Sequence, residues 1–331
     1  MKPMKLALRL SSNLPPDVIR RAADGAIEAG IDRVWLADNP RERPAVVTAA
    51  HMSAYAPSLQ IGLGVVSARE RNPVILTQEI LALQAYCSRP LIVGLGVGEP
   101  THTRLLGLPS GSGLGLLRRT AQTIRSLSAG TAIPSLDADG EPFALKFDGQ
   151  VPPVYFAAIG PKTLQLSGAI ADGVVLSLGT TVAAAGTAVA NIRRGIEGAG
   201  EPRTVEAVCY AAFGGTDAGA PQRMQAFAVH VLREFFAQPG IEVLLEGTGV
   251  DKDVADDLVA KYERGIPIPD EIVDAIAIVG PVEHCVERIR AYQAAGIDEI
   301  ALGMGTWNTS LDQTLSDMAD LLSALSATPG T

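Results

Sequence analysis

Cysteine, long apolar runs and positive charge are all scarce in this 331-residue sequence. The three cysteines, Cys87, Cys209 and Cys285, lie far apart and form no CxxC pair, so neither a disulfide framework nor a zinc site is predicted. No run of about 18 apolar residues occurs, so we expect no membrane span. The formal net charge of −9 argues against nucleic acid or an anionic membrane as a partner. These scarcities make nucleic acid and an anionic membrane unexpected as the main partner.

Histidine and targeting signals are also sparse. The first ten residues are too short and too polar for a signal peptide, so we expect a cytoplasmic protein. The four histidines include no pair at metal-ligand spacing, and we predict no metal site. His102, which follows Glu99 in a predicted loop, is kept as a possible substrate contact.

Apolar residues make up 47% of the chain, and short apolar runs alternate with helix-length segments. Eight runs are predicted as strands, at 5–10, 33–38, 59–66, 90–98, 153–158, 173–177, 204–215 and 298–305. Helices are predicted at 17–29, 44–55, 73–88, 114–129, 161–170, 181–198, 282–296 and 309–326, with helical segments within 219–277 and a hairpin at 137–150. The strands are apolar on both faces, which is typical of parallel sheet covered by helices. We predict an α/β (β/α)8 TIM barrel with insertions after strands four and seven, and a doubly wound open sheet is the rival.

Barrel active sites lie where strands end and the following loops begin. Several of these ends carry glycine or another small residue: Gly64, Val65, Gly96, Gly98, Ala157, Ala158, Ser177 and Gly303 to Gly305. A flat aromatic cofactor needs backbone and small side chains beneath it, with a few polar groups at its edges. The pattern therefore indicates a cofactor platform, although glycines after strands also occur in plain turns.

The segment that follows strand five suggests a phosphate site. The strand stops near Ala157 and Ala158, and a helix is predicted to start at Pro161, where a missing N–H is harmless. Free N–H groups at such a helix start, with Lys162 in its first turn, suit a phosphate group. The alternative interpretation of the same sequence is an ordinary helix start with a solvated lysine.

Two acids stand on separate loops at the same predicted rim. Asp38 follows strand two and Glu99 follows strand four. A carboxyl group beside a cofactor can donate or accept a proton, whereas a solvated loop carboxylate does neither. The arginines of the motifs NPRERP and RERNP, which are Arg41, Arg43, Arg69 and Arg71, are expected on solvated faces.

The motifs WLAD, IGLGVVSARERNP, VGLGVGE, VPPVYFAAIGPK and IVGPVEHCVERIRAYQAAGIDEIALG appear in this order along the chain. In this order they resemble the bacterial luciferase-like monooxygenase superfamily, in its branch of coenzyme F420-dependent oxidoreductases such as methylenetetrahydromethanopterin reductase. The resemblance implies one barrel domain over residues 1–331, a homodimer, and hydride transfer between a deazaflavin and an organic substrate that the sequence does not identify. FMN-dependent monooxygenase chemistry is the alternative, and a catalytically inactive barrel that serves as a binding protein is a third.

The resemblance also implies roles for individual residues. A non-prolyl cis peptide bond at Gly64–Val65 would bulge against the deazaflavin ring, and the loop from Ala158 through Ile159, Gly160 and Pro161 to Lys162 would lie near the coenzyme phosphate. Asp38 would hydrogen-bond near the ring, and Glu99 would handle the proton. Two positions depart from the family pattern: Asn39 stands where many members have histidine, and Arg9 is nearest to a glutamate of the pterin reductases.

Overall fold

The computed structural model describes residues 3–109, 111–135, 140–147, 149–237, 240–303 and 310–327. Its strands are β1 Lys5–Ser11, β2 Arg33–Ala37, β3 Gln60–Ser67, β4 Ile92–Gly96, β5 Val154–Ala157, β6 Gly173–Leu176, β7 Glu206–Gly215, β8 Ala277–Val279 and β9 Glu299–Gly303. Its α-helices are α1 Pro16–Glu28, α2 Ala45–Tyr55, α3 Pro73–Gln84, α4 Pro100–Leu105, α5 Gly113–Ser128, α6 Pro161–Ile170, α7 Val182–Ala199, α8 Ala220–Arg223, α9 Gln225–Ala237, α10 Lys252–Glu263, α11 Asp270–Ile276, α12 Val282–Ala294 and α13 Leu311–Ala327.

Eight of these strands close into a parallel barrel. The strands pair in the order β1, β2, β3, β4, β5, β6, β7 and β9, and β9 returns to pair with β1. The predicted (β/α)8 barrel is therefore confirmed, and the open sheet is excluded because such a sheet would leave two edge strands. The two long connections, after β4 and after β7, are the predicted insertions.

Side chains alternate between the barrel interior and the layer beneath the helices, as the period of two in a strand requires. On β7, Val208 and Tyr210 point into the barrel, whereas Cys209 and Ala211 belong to the outer core. The interior cluster consists of Ala7, Trp35, Ile92, Tyr155, Val175, Val208, Tyr210 and Ala301. The same alternation places Arg9 of β1 inside the barrel, two residues beyond Ala7.

Some local predictions were wrong or lie outside the described residues. The short strand β8, which pairs with the end of β7, was not predicted, and only its first residue, Ala277, falls within the range predicted to contain helices. Three apolar residues after a helix are too few to show a period. His102, predicted in a loop, lies in the short helix α4. In the hairpin region the described part shows an antiparallel bridge between Ile133 and Phe143. Residues 137–139, 148, 304 and 305 of the predicted hairpin and last strand lie outside the described residues.

The insertion after β7 builds a second hydrophobic cluster beside the barrel. Helices α8 to α11, with a 3-10 helix at Glu242–Leu245, bury residues such as Phe227 and Val273. Ile159 and Leu178, which follow β5 and β6, pack against this cluster. The insertion therefore covers one side of the barrel end at which the strands finish. Within the described ranges no helix is both long and apolar enough to cross a bilayer.

Candidate active site

Among the described residues, the ends of the barrel strands carry mostly small side chains, which form the floor of the barrel mouth. Several inward positions near the strand ends are partly exposed although the barrel is closed around them, so solvent reaches them through the mouth: Arg9, Ala37, Val65, Ala157, Ser177 and Leu178. Small side chains at this depth leave room for a flat ligand.

Glycines 62 and 64 give β3 its bare backbone because two aromatic side chains fill the space beside it. A Cβ on Gly62 would lie 2.4 Å from Cε3 of Trp35. A Cβ on Gly64 would lie 1.9 Å from the Tyr210 hydroxyl oxygen and 2.7 Å from Trp35 Cε3. Packing against these two aromatic side chains inside the barrel therefore explains why both positions are glycine.

The peptide bond between Gly64 and Val65 is cis, at the position that the family resemblance indicates. The pairing of β3 with β4 shifts register between Leu63 and Val66, so Val65 forms a bulge. Its side chain leans over β4, where a Cβ on Gly96 would meet Val65 Cγ2 at 3.0 Å. Gly64, Val65 and Gly96 thus form one continuous part of the mouth floor.

Asp38 is buried in an ion pair at the rim. Its Oδ2 accepts from Arg71 Nη1 at 2.6 Å, and its Oδ1 accepts from the backbone N–H of Ala45 at 2.9 Å, at the start of α2. Only 3% of the Asp38 side chain is exposed, and 20% of the Arg71 side chain. Both carboxylate oxygens are therefore engaged with the protein. The neighbouring Asn39 accepts from the backbone N–H of Arg41 at 2.9 Å and shapes the same loop.

The prediction that the rim arginines are solvated was wrong for two of the four. Arg71 holds Asp38, as described above. Arg69 donates to the carbonyl oxygens of Val97 at 3.3 Å, Pro109 at 2.6 Å and Gly111 at 3.2 Å, which ties the loop after β3 to the insertion after β4. A charge-rich motif at a strand end can thus be a structural clamp for the adjacent loop.

Glu99 and His102 form a pair just beyond β4, next to the loop after β3 that carries Arg71. Glu99 precedes α4, and its Oε2 lies 3.4 Å from His102 Nε2, with 40% of the Glu99 side chain and 16% of the His102 side chain exposed. Gly98 before them has φ +83°, and a Cβ there would also meet Ser67 Oγ at 2.6 Å. The glycine lets the chain turn at this point, between the end of β4 and Glu99.

The segment after β5 divides between the mouth and the outer core. Ala157 is partly exposed at the mouth, but Ala158 faces the outer core and its N–H donates to the carbonyl oxygen of Val175 at 3.2 Å. The contribution of Ala158 to a cofactor site therefore stays a prediction. Gly160 and Pro161 begin α6 as predicted, and Lys162 is exposed in its first turn.

Two residues of the mouth were missed as site residues in the sequence. The guanidinium carbon of Arg9 lies 5.0 Å from the centroid of the Tyr210 ring. Burial lowers the pKa of Arg9, against the opposing influence of Tyr210 and Glu42, and burial raises the pKa of Tyr210. Side chains alternate along β1 and β7, but the sequence does not show which alternate set faces the barrel interior. With that direction known, Arg9 and Tyr210 would both have been predicted to face inward.

Charged residues close the opposite end of the barrel. Glu299 accepts from Arg33 Nη1 and from Trp35 Nε1, each at 2.7 Å, while Glu206 pairs with Lys5 at 2.8 Å and accepts from the hydroxyl of Tyr155. Burial alone would raise the pKa of Glu206, but the charge of Arg33 and the hydrogen bonds from Lys5 and Tyr155 lower it to about 2. This network is internally satisfied and lies away from the mouth.

A groove of about 400 Å³ also lies on the outside of the barrel, between α1 and α13. Its Arg21 and Asp312 pair with each other at 2.6 Å and are largely exposed, 57% and 75% of their side chains. Solvated, mutually paired charges do not point to a ligand. The mouth, which gathers buried charge, bare backbone and a carboxylate–histidine pair, is the better candidate site.

The fold and the mouth define a class of protein: a closed parallel barrel whose strand ends form a floor for a flat ligand. The family model of luciferase-like monooxygenases matches residues 3–299, and the chain belongs to this family.

Curated relatives include a 5,10-methylenetetrahydromethanopterin reductase from Methanolobus tindarius, 28% identical over 289 residues that cover 84% of this chain and 87% of the relative. A second reductase of the same name, from Archaeoglobus fulgidus, is 24% identical over 84% of this chain and 86% of its own length. The chain is thus related to oxidoreductases over most of its length.

Solved structures share the fold at lower identity. The coenzyme F420-dependent tetrahydromethanopterin reductase from Methanopyrus kandleri superposes with a TM-score of 0.85 at 18% identity, over 98% of this chain and 100% of the other. A monooxygenase from Streptomyces bottropensis superposes with a TM-score of 0.74 at 16% identity, over 98% and 100%. Both confirm the luciferase-like barrel.

Proposed function

We propose that this protein is a coenzyme F420-dependent oxidoreductase that moves a hydride between the deazaflavin and an organic substrate. The relatives named as methylenetetrahydromethanopterin reductases support the cofactor, because they align with this chain over most of both lengths. The observation that carries the proposal is the mouth floor, in which the bulge at Val65 and small side chains leave a flat surface free. The bound deazaflavin would supply or accept the hydride.

The residues of the mouth fit such a ring. The backbone at Gly64 and Val65 would support one face of it, and Gly96, Ala157 and Ser177 would leave space at its edges. Lys162, exposed at the start of α6, would hold a coenzyme phosphate together with the helix N-terminus. The protein's part is to orient ring and substrate and to exclude water.

We assign proton handling to the pair Glu99 and His102. Their separation of 3.4 Å allows a proton to pass between carboxylate and imidazole, and both remain partly exposed to the mouth. Asp38, by contrast, has both oxygens engaged by Arg71 and Ala45. We therefore propose that Asp38 positions Arg71 and the start of α2 beneath the coenzyme, with Asn39 in the adjoining turn.

A fluorescence titration with coenzyme F420, run beside one with FMN, tests the proposal. We expect saturable binding of F420 and much weaker binding of FMN. The variant Ala157→Phe fills the mouth floor and should abolish binding, whereas Ala190→Phe, on an exposed face of α7, should bind as the wild type does.

The other outcomes each support another function. A preference for FMN would favour a monooxygenase, as the description of the matched family allows. Binding of neither ring by a protein with a folded circular dichroism spectrum would favour a catalytically inactive binding barrel.

We further propose that the chain forms a homodimer through α2 and α3. Their sequences, AVVTAAHMSAY and PVILTQEILALQ, are apolar on nearly all sides, which surface helices seldom are. Val47 is 64% exposed and Ile75 is 49% exposed, on neighbouring helices. A second copy of this face would cover both.

A further inference from the structure

The charged side chain at the floor of the mouth is Arg9. Its strand position faces the barrel interior, and the side chain is partly exposed, so the mouth is its route to solvent. The neighbouring inward positions Ala37, Val65 and Ala157 are uncharged. Arg9 therefore sets the electrostatic character of the floor.

Arg9 has no hydrogen-bond partner within the described ranges, and its Nε is buried without one. Glu42 is an acid that acts on it through space, but the Glu42 carboxylate accepts from Ser11 Oγ at 2.8 Å and no ion pair with Arg9 forms. Among the residues that the structure describes, no carboxylate forms an ion pair with Arg9.

An unpaired guanidinium is costly in such a place. Arginine stays protonated in proteins, so the charge cannot be relieved by losing a proton. Burial of a charge without a partner is unfavourable, and the lowered pKa of Arg9 reflects it. A site that keeps such a charge is prepared for an anion, which would restore the missing hydrogen bonds.

We propose that Arg9 is the binding residue for a carboxylate carried by the substrate. This proposal rests on the oxidoreductase function proposed above, because only that function makes the ligand a substrate. It adds the chemical class of the substrate. Tyr210 is a positioning residue, because its ring lies beneath the guanidinium at 5.0 Å and holds it by a cation–π contact. The planar guanidinium matches a carboxylate in two parallel hydrogen bonds.

Benzoate and its neutral isostere benzamide serve as probes, measured by calorimetry on the F420-loaded protein and on the protein without coenzyme. We expect benzoate to bind the wild type and to bind Arg9→Met roughly tenfold to a hundredfold more weakly. Benzamide should bind both proteins alike, and Arg9→Lys should recover part of the affinity for benzoate. No binding of benzoate to the wild type, or equal binding to Arg9→Met, overturns the proposal.

Two further measurements on Arg9→Met, its Tm and its affinity for F420, distinguish substrate binding from a structural role and from coenzyme binding. If Arg9 only held the barrel together, Arg9→Met would lower the Tm; we expect an unchanged or higher Tm, because an unpaired buried charge is removed. If the charge served the coenzyme, Arg9→Met would weaken F420 as much as benzoate, which would overturn the substrate assignment. Failure of F420 to bind, with benzoate binding still dependent on Arg9, would reject the proposed cofactor and leave the carboxylate site standing.

Discussion

Asp38 and Arg71 join two strand ends of the barrel through a contact of 2.6 Å between Oδ2 and Nη1. The same carboxylate accepts from the first N–H of α2. One side chain therefore fixes the loop after β2, the loop after β3 and the start of a helix. This arrangement gives the mouth a rigid edge next to the Gly64–Val65 bulge.

We predict that Asp38→Asn lowers the free energy of unfolding by about 2 kcal/mol, because asparagine can still cap α2 but removes the buried carboxylate, which leaves Arg71 with the more distant Glu79 at 3.7 Å. Urea denaturation measures the change. The matched control is Asp312→Asn, which removes the exposed pair with Arg21 and should cost less than about 1 kcal/mol. Equal effects in the two variants would contradict a structural role for the Asp38 pair.

The barrel could be predicted from the sequence because eight apolar runs each precede a helix, and only parallel strands covered by helices use that pattern well. The site could be predicted less well. Ala157 and Ala158 are equivalent as letters, yet one lines the mouth and the other the outer core, because the phase of a four-residue strand is not visible in its composition.

The ion pair between Asp38 and Arg71 could not be predicted from the sequence either. Arg71 lies 33 positions away, and the two meet only because consecutive strand ends adjoin at the rim. Arg9 was visible as the residue at the end of strand one, but its inward direction depended on knowing that Ala7 faces the interior. Contacts between strand ends thus decide which charged residues hold loops together, as Arg71 does, and which remain available to a ligand, as proposed for Arg9.

Glu99 provides a test of proton handling. We predict that Glu99→Gln lowers the rate of deazaflavin reduction or oxidation by roughly 10²-fold to 10⁴-fold with a substrate found by screening, because a positioned acid or base is removed. Stopped-flow absorbance of the coenzyme measures the rate. The F420 titration should be unchanged, and Glu283→Gln, at an exposed position of α12, should behave as the wild type. A variant as fast as the wild type would assign the proton to another group.

Acid stability should depend on Glu206 at the closed end of the barrel. Its pKa in the folded protein is lowered to about 2 from an ordinary value of 4.5, so it stabilises the fold above pH 4.5 and loses that contribution as the pH falls toward 2. We predict that Glu206→Gln is less stable than the wild type at pH 7, by on the order of 2 kcal/mol, and that the difference shrinks below pH 4.5. Chemical denaturation across this pH range would show it, and a difference independent of pH would contradict it.

The proposed dimer face predicts a change of mass. Val47→Asp combined with Ile75→Asp places two charges on α2 and α3 and should convert a dimer to a monomer in light scattering after size exclusion, because buried charges without partners oppose association. Val254→Asp, at a position 40% exposed on α10, is the control and should leave the mass unchanged. A monomeric wild type, or a double variant that remains dimeric, would refute the face.

Gly64 offers the most direct test of the mouth floor. A methyl group there would lie 1.9 Å from the Tyr210 hydroxyl oxygen, so we predict that Gly64→Ala lowers the free energy of unfolding by about 1–3 kcal/mol. Tyr210→Phe removes that oxygen, and the double variant should therefore lose less stability than the sum of the two single variants. Gly198→Ala, in α7 with no atom within 4 Å of the new methyl group, should be neutral or stabilising. Additive effects at positions 64 and 210 would mean that the hydroxyl group does not limit the backbone on which the ring is proposed to rest.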